Sequence, residues 1–246
     1  TMENIFHSME LDDMLEDFLE NSTEKRYSKK SELDEKTADE IKAYLKRNWE
    51  TVLGHYKEQL DAGRKYYQEV LSGCQRAVAV DVGWAGSGAV TLNYVVNEIW
   101  GLECEVIGLV AGTNSVYNQE PDTSESLLQS GALHSYMYSQ KHNRDLWKMH
   151  NPNQGDNIIV ELLLASEKQS FRRFSSEQSG FVFCDKKNEI NASEVQRGII
   201  DYYLERMQDI PKISGRDAYA PITVLLENRN WVKKIISDEE VTMNLE

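Results

Sequence analysis

The sequence predicts an α/β fold: a Rossmann-like, mostly parallel sheet flanked by helices and preceded by an N-terminal helical subdomain. Three observations predict it. Residues 1–75 carry apolar side chains at three- and four-residue steps almost throughout. The short apolar run Ala77-Val78-Ala79-Val80 breaks that period and ends in Asp81. A glycine-rich turn, a helical stretch and a second apolar run then follow in the order of a βαβ unit. The expected boundaries are 1–75 for the helical subdomain and 76–246 for the α/β domain.

Leu11, Met14, Leu15, Phe18 and Leu19 mark one buried helical face. Residues 21–37 are polar and mixed in charge and read as a linker. One long helix is expected next, with Ile41, Leu45, Trp49, Val52, Leu53, Tyr56 and Leu60 at helical period. Thr37 and Glu40 fit a capping box at its start. Ser72-Gly73 fits its end. The first strand is Ala77 to Asp81, buried and parallel. Val90 to Trp100 reads as a helix, and Cys104 to Val110 as the second strand.

Further along, Ser124 to Ser139 reads as a helix that tolerates Gly131, and Lys141 to Asp156 as a turn-rich stretch. Asn157 to Ala165 is an apolar helix. Phe181-Val182-Phe183 is a short strand. Asn191 and Glu194 form a second capping box before an amphipathic helix with Val195, Ile199, Tyr203 and Met207 on one face. Pro221 to Trp231, then Val232 to Ile236, should close the fold with helix.

Composition limits the function. Hydrophobic residues make up 40% and charged residues 28% of 246, which is ordinary for a folded chain. Lys and Arg number 27 against 41 Asp and Glu, a net charge of −14. A general nucleic-acid-coating role and an anionic membrane surface are both disfavoured. No apolar stretch is long enough to span a bilayer. The first twenty residues are acidic, the opposite of a secretory leader. Cys74, Cys104 and Cys184 form no metal-ligand spacing, and they read as reduced thiols of a cytoplasmic protein.

The segment richest in chemistry is Val80-Asp81-Val82-Gly83-Trp84-Ala85-Gly86-Ser87-Gly88. Glycines let backbone N–H groups approach a ligand, and the helix start adds partial positive charge. Together they make an anion site, and Ser87 can donate to the same oxygen atoms. Asp81 suits a metal, a ribose hydroxyl or a proton. Trp84 either stacks on a sugar or base or plugs the floor of the turn. A methyltransferase loop expects an acid after the second strand, where Val110-Ala111-Gly112 stands. The dinucleotide fingerprint needs other glycine offsets, and a Walker loop needs Gly-Lys-Ser/Thr. A phosphoribosyltransferase-like loop is a loose analogue with one acid instead of two. A tight turn without any ligand is the plainest alternative.

Asp81-Val82-Gly83-Trp84-Ala85-Gly86-Ser87, with Leu92 beyond it, resembles the Asp-Ile-Gly-Trp-x-Gly-Thr/Ser signature of a bacterial family of predicted HAD-superfamily hydrolases. Glu161-Leu162-Leu163 and Gln196-Arg197-Gly198-Ile199 are similar to two further stretches of that family. So are the helices around Tyr44-Leu45 and Tyr66-Tyr67. The signature lies beyond the HAD core in these proteins, which are associated with glycosyltransferases of surface-polysaccharide synthesis. The resemblance implies a chain cut from a longer protein or standing free. The frequent Gln two residues after the Thr/Ser is Ala89 here. No Asp-x-Asp nucleophile motif is present, and Asp12-Asp13 lies on a helical pattern, so HAD phosphatase chemistry is not expected.

The remaining candidates read as structural. His142 and His150 suit no zinc motif and are expected at the surface. His55 and His134 have no convergent acid in sequence. Phe171-Arg172-Arg173-Phe174 is a basic, aromatic cluster whose simpler reading is packing over a helix end. The expected ligand is a phosphorylated small molecule or a nucleotide sugar, bound by Asp81, Gly83, Trp84, Gly86 and Ser87, with magnesium as the cofactor such a ligand would bring. Transfer from a phosphorylated sugar is favoured over hydrolysis if the chain is catalytic. The alternative is a scaffold domain for a HAD module or a glycosyltransferase.

Overall fold

A computed structural model describes residues 1–22, 27–114, 124–166, 168–177, 180–184, 193–209 and 212–229. The chain divides into two compact units. One comprises Thr1–Gly63 with Phe174–Gly180, the other Arg64–Arg173 with the described residues from Phe181 onwards.

The first unit is helical. Helices α1 (Met2–Ser8), α2 (Asp12–Asn21), α3 (Glu35–Arg47) and the greater part of α4 (Trp49–Val70) bring Met2, Phe6, Met14, Leu15, Phe18, Ile41, Tyr44 and Val52 into one core. The Tyr44 hydroxyl donates to Asp17 Oδ2 at 2.6 Å, which satisfies a phenol inside that core. The expected long helix is two helices, because Asn48 leaves helical geometry between Arg47 and Trp49. Its cap also differs from expectation. Asp34, not Thr37, is the N-cap of α3, and its carboxylate accepts the Thr37 N–H at 2.7 Å. An acid in extended conformation one residue before the helix outcompetes a threonine already inside it.

The second unit carries a three-stranded parallel sheet in the order β1 (Arg76–Asp81), β2 (Glu105–Gly112), β3 (Leu133–Tyr138). Between β1 and β2 runs α5 (Ser87–Tyr94), which continues as a π-helical segment over Val95–Ile99. The π turn has a use. Asn93 Oδ1 accepts the Val106 N–H at 2.8 Å and Asn97 Nδ2 donates to the Cys104 carbonyl at 3.0 Å. Both bonds fasten the helix to the start of β2. Val96, Trp100, Cys104 and Val106 form the core here, with Ala77, Ala79 and Leu92 packed against it.

The segment expected as one helix from Ser124 to Ser139 is a short helix, α6 (Glu125–Ser130), followed by β3. Gly131 sits at φ +78°, a left-handed helix end that lets the chain reverse into the strand. The turn-rich stretch also holds a helix, α7 (Arg144–Met149), and a 3₁₀ turn over Pro152–Gln154. Helix α8 (Asp156–Leu164) follows, then a separate two-stranded sheet of β4 (Phe171–Phe174) and β5 (Phe181–Phe183). Phe171 to Phe174 is therefore a strand, not a helix-end cluster.

Helix α9 (Ser193–Asp209) occupies its expected place, although the expected cap at Asn191 lies outside the described residues. Helix α10 (Gly215–Glu227) starts earlier than Pro221. Ser214 and Asp217 form its capping box, and Pro221 lies inside it. The expected helix over 232–236 lies outside the described residues. Among the described residues no helix is long and apolar enough to cross a membrane.

Candidate functional site

The carboxyl ends of β1, β2 and β3 converge, and the loop after β1 lies among them. That end of a parallel sheet is where ligands bind in open α/β folds. Asp81, the last residue of β1, folds its carboxylate back over the loop, and Oδ1 accepts the Gly83 N–H at 2.8 Å. A side chain at Gly83 would start 2.3 Å from Asp81 Oδ2, so only glycine leaves that carboxylate its place. Gly86 is the N-cap of α5 in left-handed conformation, φ +71°. Among the described residues no side chain caps this helix. The first-turn N–H groups thus lack the usual side-chain oxygen. Asp81 Oδ2 lies 4.0 Å from where a side chain at Gly88 would begin, so a negative charge stands beside that first turn. Ser87, the first residue of α5, is exposed, as is Asp81.

Trp84 is half-buried. Its indole N–H donates to Glu161 Oε1 on α8 at 2.7 Å. Its ring stacks on His150, with centroids 5.0 Å apart, and more distantly on Tyr138. Its carbonyl accepts the Asn114 N–H at 3.1 Å. Of the two roles weighed for Trp84, the floor of the turn is the one its contacts fill.

Beneath Trp84 lies a buried polar cluster. His150 is 3% exposed, which corrects the surface placement expected for it. Its Nε2 lies 2.8 Å from Asn157 Oδ1, and Asn114 Nδ2 donates to the same oxygen at 3.0 Å. With Asn157 oriented so, that oxygen can only accept, and Nε2 carries the proton. Nδ1 then accepts from the Tyr219 hydroxyl, 2.9 Å away. Burial pushes the His150 pKa down, against the opposing pull of the Asn157 bond and the nearby Asp156 charge. Burial pushes the phenols of Tyr138 and Tyr219 up. Asn114 stands close enough to Tyr138 to favour the phenolate, yet no hydrogen bond of good geometry reaches the Tyr138 hydroxyl among the described residues. The Thr113 hydroxyl is likewise buried without a partner among them.

Asp156 closes the cluster. It is fully buried, and Arg229 Nη2 donates to Oδ1 at 2.7 Å and to Oδ2 at 3.0 Å. Arg229 Nε adds a bond to Oδ1, and the Asn151 N–H donates to Oδ2 at 2.8 Å. The pair ties the end of α10 to the first turn of α8.

The five loop residues named from sequence thus stand together at one end of the sheet. His150, Asn157, Tyr219, Asp156 and Arg229 were not among them. The signal for Asp156 is its place in the first turn of a helix; the others meet only in three dimensions. His55 has an acid partner after all, Asp13 Oδ2 at 2.7 Å from Nε2. No group of three or more His, Cys, Asp and Glu side chains fit to hold a metal occurs among the described residues.

No protein-family model matches the chain, and neither a curated protein nor a solved structure matches it.

Proposed function

We propose that the loop from Asp81 to Ser87 binds a phosphorylated small molecule or nucleotide sugar, and that the chain is the ligand-binding α/β domain of a HAD-hydrolase-associated protein in bacterial surface-polysaccharide synthesis. The observation that carries the ligand site is the pairing of an uncapped helix start with an exposed carboxylate at the carboxyl end of the sheet. Backbone N–H groups and Ser87 take phosphate oxygens. Asp81 repels a bare phosphate, so magnesium fits between them: that ion commonly uses one or two carboxylates and completes its shell with phosphate and water. The parallel order β1-β2-β3 supports a Rossmann-like reading, in which the ligand takes the same end of the sheet.

The biosynthetic setting rests on the resemblance of Asp81 to Ser87 and of Glu161-Leu162-Leu163 to one bacterial family. The Trp84–Glu161 hydrogen bond supports it, because it joins two of those stretches across 77 residues. His150 is a poor acid or base, since both ring nitrogens are engaged and the ring is buried. Transfer from a phosphorylated sugar stays ahead of hydrolysis if the domain is catalytic.

Thermal unfolding against a panel tests the reading: phosphoribosyl pyrophosphate, ATP, nucleotide sugars and sugar phosphates, each with and without magnesium. A ligand at 100 times its Kd adds about 2.7 kcal/mol. The expected result is stabilisation by one ligand class, strengthened by magnesium and lost in Ser87→Ala and Asp81→Asn. Stabilisation by phosphoribosyl pyrophosphate alone selects the phosphoribosyltransferase-like alternative. No response to any ligand rejects the ligand site. One observation favours a second reading, a scaffold domain for a HAD module or glycosyltransferase: Val78 and Val80 on β1 are 57% and 78% exposed.

A further inference from the structure

The loop from Asp81 to Ser87 owes little of its shape to itself. Between Gly83 and Gly86 its one large side chain is Trp84, and the two glycines let the backbone turn in many ways. Inside the loop, the Asp81 carboxylate takes the Gly83 N–H. Other bonds reach it from outside. The Asn114 N–H, just beyond β2, donates to the Trp84 carbonyl, and Ser124 Oγ, just before α6, donates to the Ala85 carbonyl at 3.3 Å. Both of these bonds join neutral groups. The bond from α8 is of another kind: Glu161 Oε1 accepts the Trp84 indole N–H at 2.7 Å. A hydrogen bond to a carboxylate is roughly twice as strong as one between neutral groups.

Glu161 stands on a firm base. Ile159 and Val160, beside it on α8, are 5% and 4% exposed. Asp156, the first residue of α8, is clamped by Arg229. Glu161 lies five residues further on, about 7.5 Å along the helix axis. The core thus fixes its main chain while its carboxylate stays exposed. That carboxylate selects one placing of the Trp84 ring, stacked on His150, and with it one path for the backbone from Gly83 to Gly86.

We infer that Glu161 is a positioning residue of the loop. Without touching the ligand, it holds Trp84 so that Ser87 and the N–H groups at the start of α5 face a phosphate together. This role rests on the ligand site proposed above. A loop that spends only a tenth of its time in the competent shape binds about ten times more weakly, so the anchor reads out as affinity.

Two measurements test it, one of them without any ligand. Chains labelled with 5-fluorotryptophan give a fluorine signal for each of five tryptophans, and Trp84→Phe identifies the signal of Trp84. In Glu161→Ala that signal should shift and broaden while the rest stay in place. The second measurement is thermal unfolding against inorganic phosphate with magnesium, and against the sugar phosphates and nucleotide sugars of the same panel. Glu161→Ala should raise the Kd about tenfold with an unchanged circular dichroism spectrum. Glu161→Gln, whose amide oxygen still accepts the indole N–H, should bind as the native chain does. Adding Trp84→Phe to Glu161→Ala should cost little more, because both remove the same bond. An unmoved Trp84 signal, or an unchanged Kd in Glu161→Ala, overturns the positioning role and leaves the ligand site standing. A Kd raised equally by Glu161→Gln overturns it too, by making the charge rather than the anchor the active part. A native chain that none of these compounds stabilises rejects the ligand site, and this role with it.

Discussion

Gly86 shows how much one backbone angle decides. At φ +71° an L side chain is strained by about 1–2 kcal/mol, and its Cβ would also lie 2.5 Å from Leu133 Cδ1. Gly86→Ala should therefore destabilise the sheet unit by about 2 kcal/mol or more, read by urea unfolding; a neutral result would mean the turn relaxes freely. His150 makes a prediction of opposite character. Its folded pKa lies below the unfolded value of about 6.5, so the unfolded chain takes up the proton more readily. Its contribution is full above that value and is lost as pH falls through the folded pKa. His150→Gln should flatten the acid limb of stability. An unchanged limb would mean that another group governs it.

At the scale of elements, the Asp156–Arg229 pair joins α8 to the end of α10. Arg229→Met leaves a fully buried carboxylate without its cation and should cost about 3–5 kcal/mol. Adding Asp156→Asn should restore part of the loss. If the single variant unfolds like the native chain, the pair is not a structural joint. The elements also show what was legible beforehand. Strands β1 and β2 were legible because their apolar runs end at glycine and acid. Strand β3 was not: the register slips between Val110 and Gly112, so Met137 and Tyr138 are both buried and alternation fails. The loop from Asp81 to Ser87 is local chemistry and could be read in order. The cluster below it could not, because His150 meets Tyr219 across 69 residues. Pro221 misled for a simple reason. Proline favours a helix's first turn, but here the Ser214–Asp217 box had already started the helix.

On the scale of the whole molecule, the two units should answer pH in opposite directions. His55, in the helical unit, has its pKa raised by the Thr51 carbonyl and by Asp13. The helical unit thus gains stability below about pH 6.5 and loses it as pH rises through the folded value. The sheet unit, through His150, does the reverse. Hydrogen exchange resolved by peptide, at mildly acid and mildly alkaline pH, should show protection shifting from one unit to the other. Parallel trends in both would refute the assignment. The position of α10 has one more consequence, in time. Strands β1, β2 and β3 are made in the order in which they pair, so the sheet can form as the chain emerges. Tyr219 and Arg229 arrive long after. Until they do, His150 Nδ1 lacks its donor and Asp156 its cation, and a nascent chain halted before α10 should hold its sheet with this cluster still open to water.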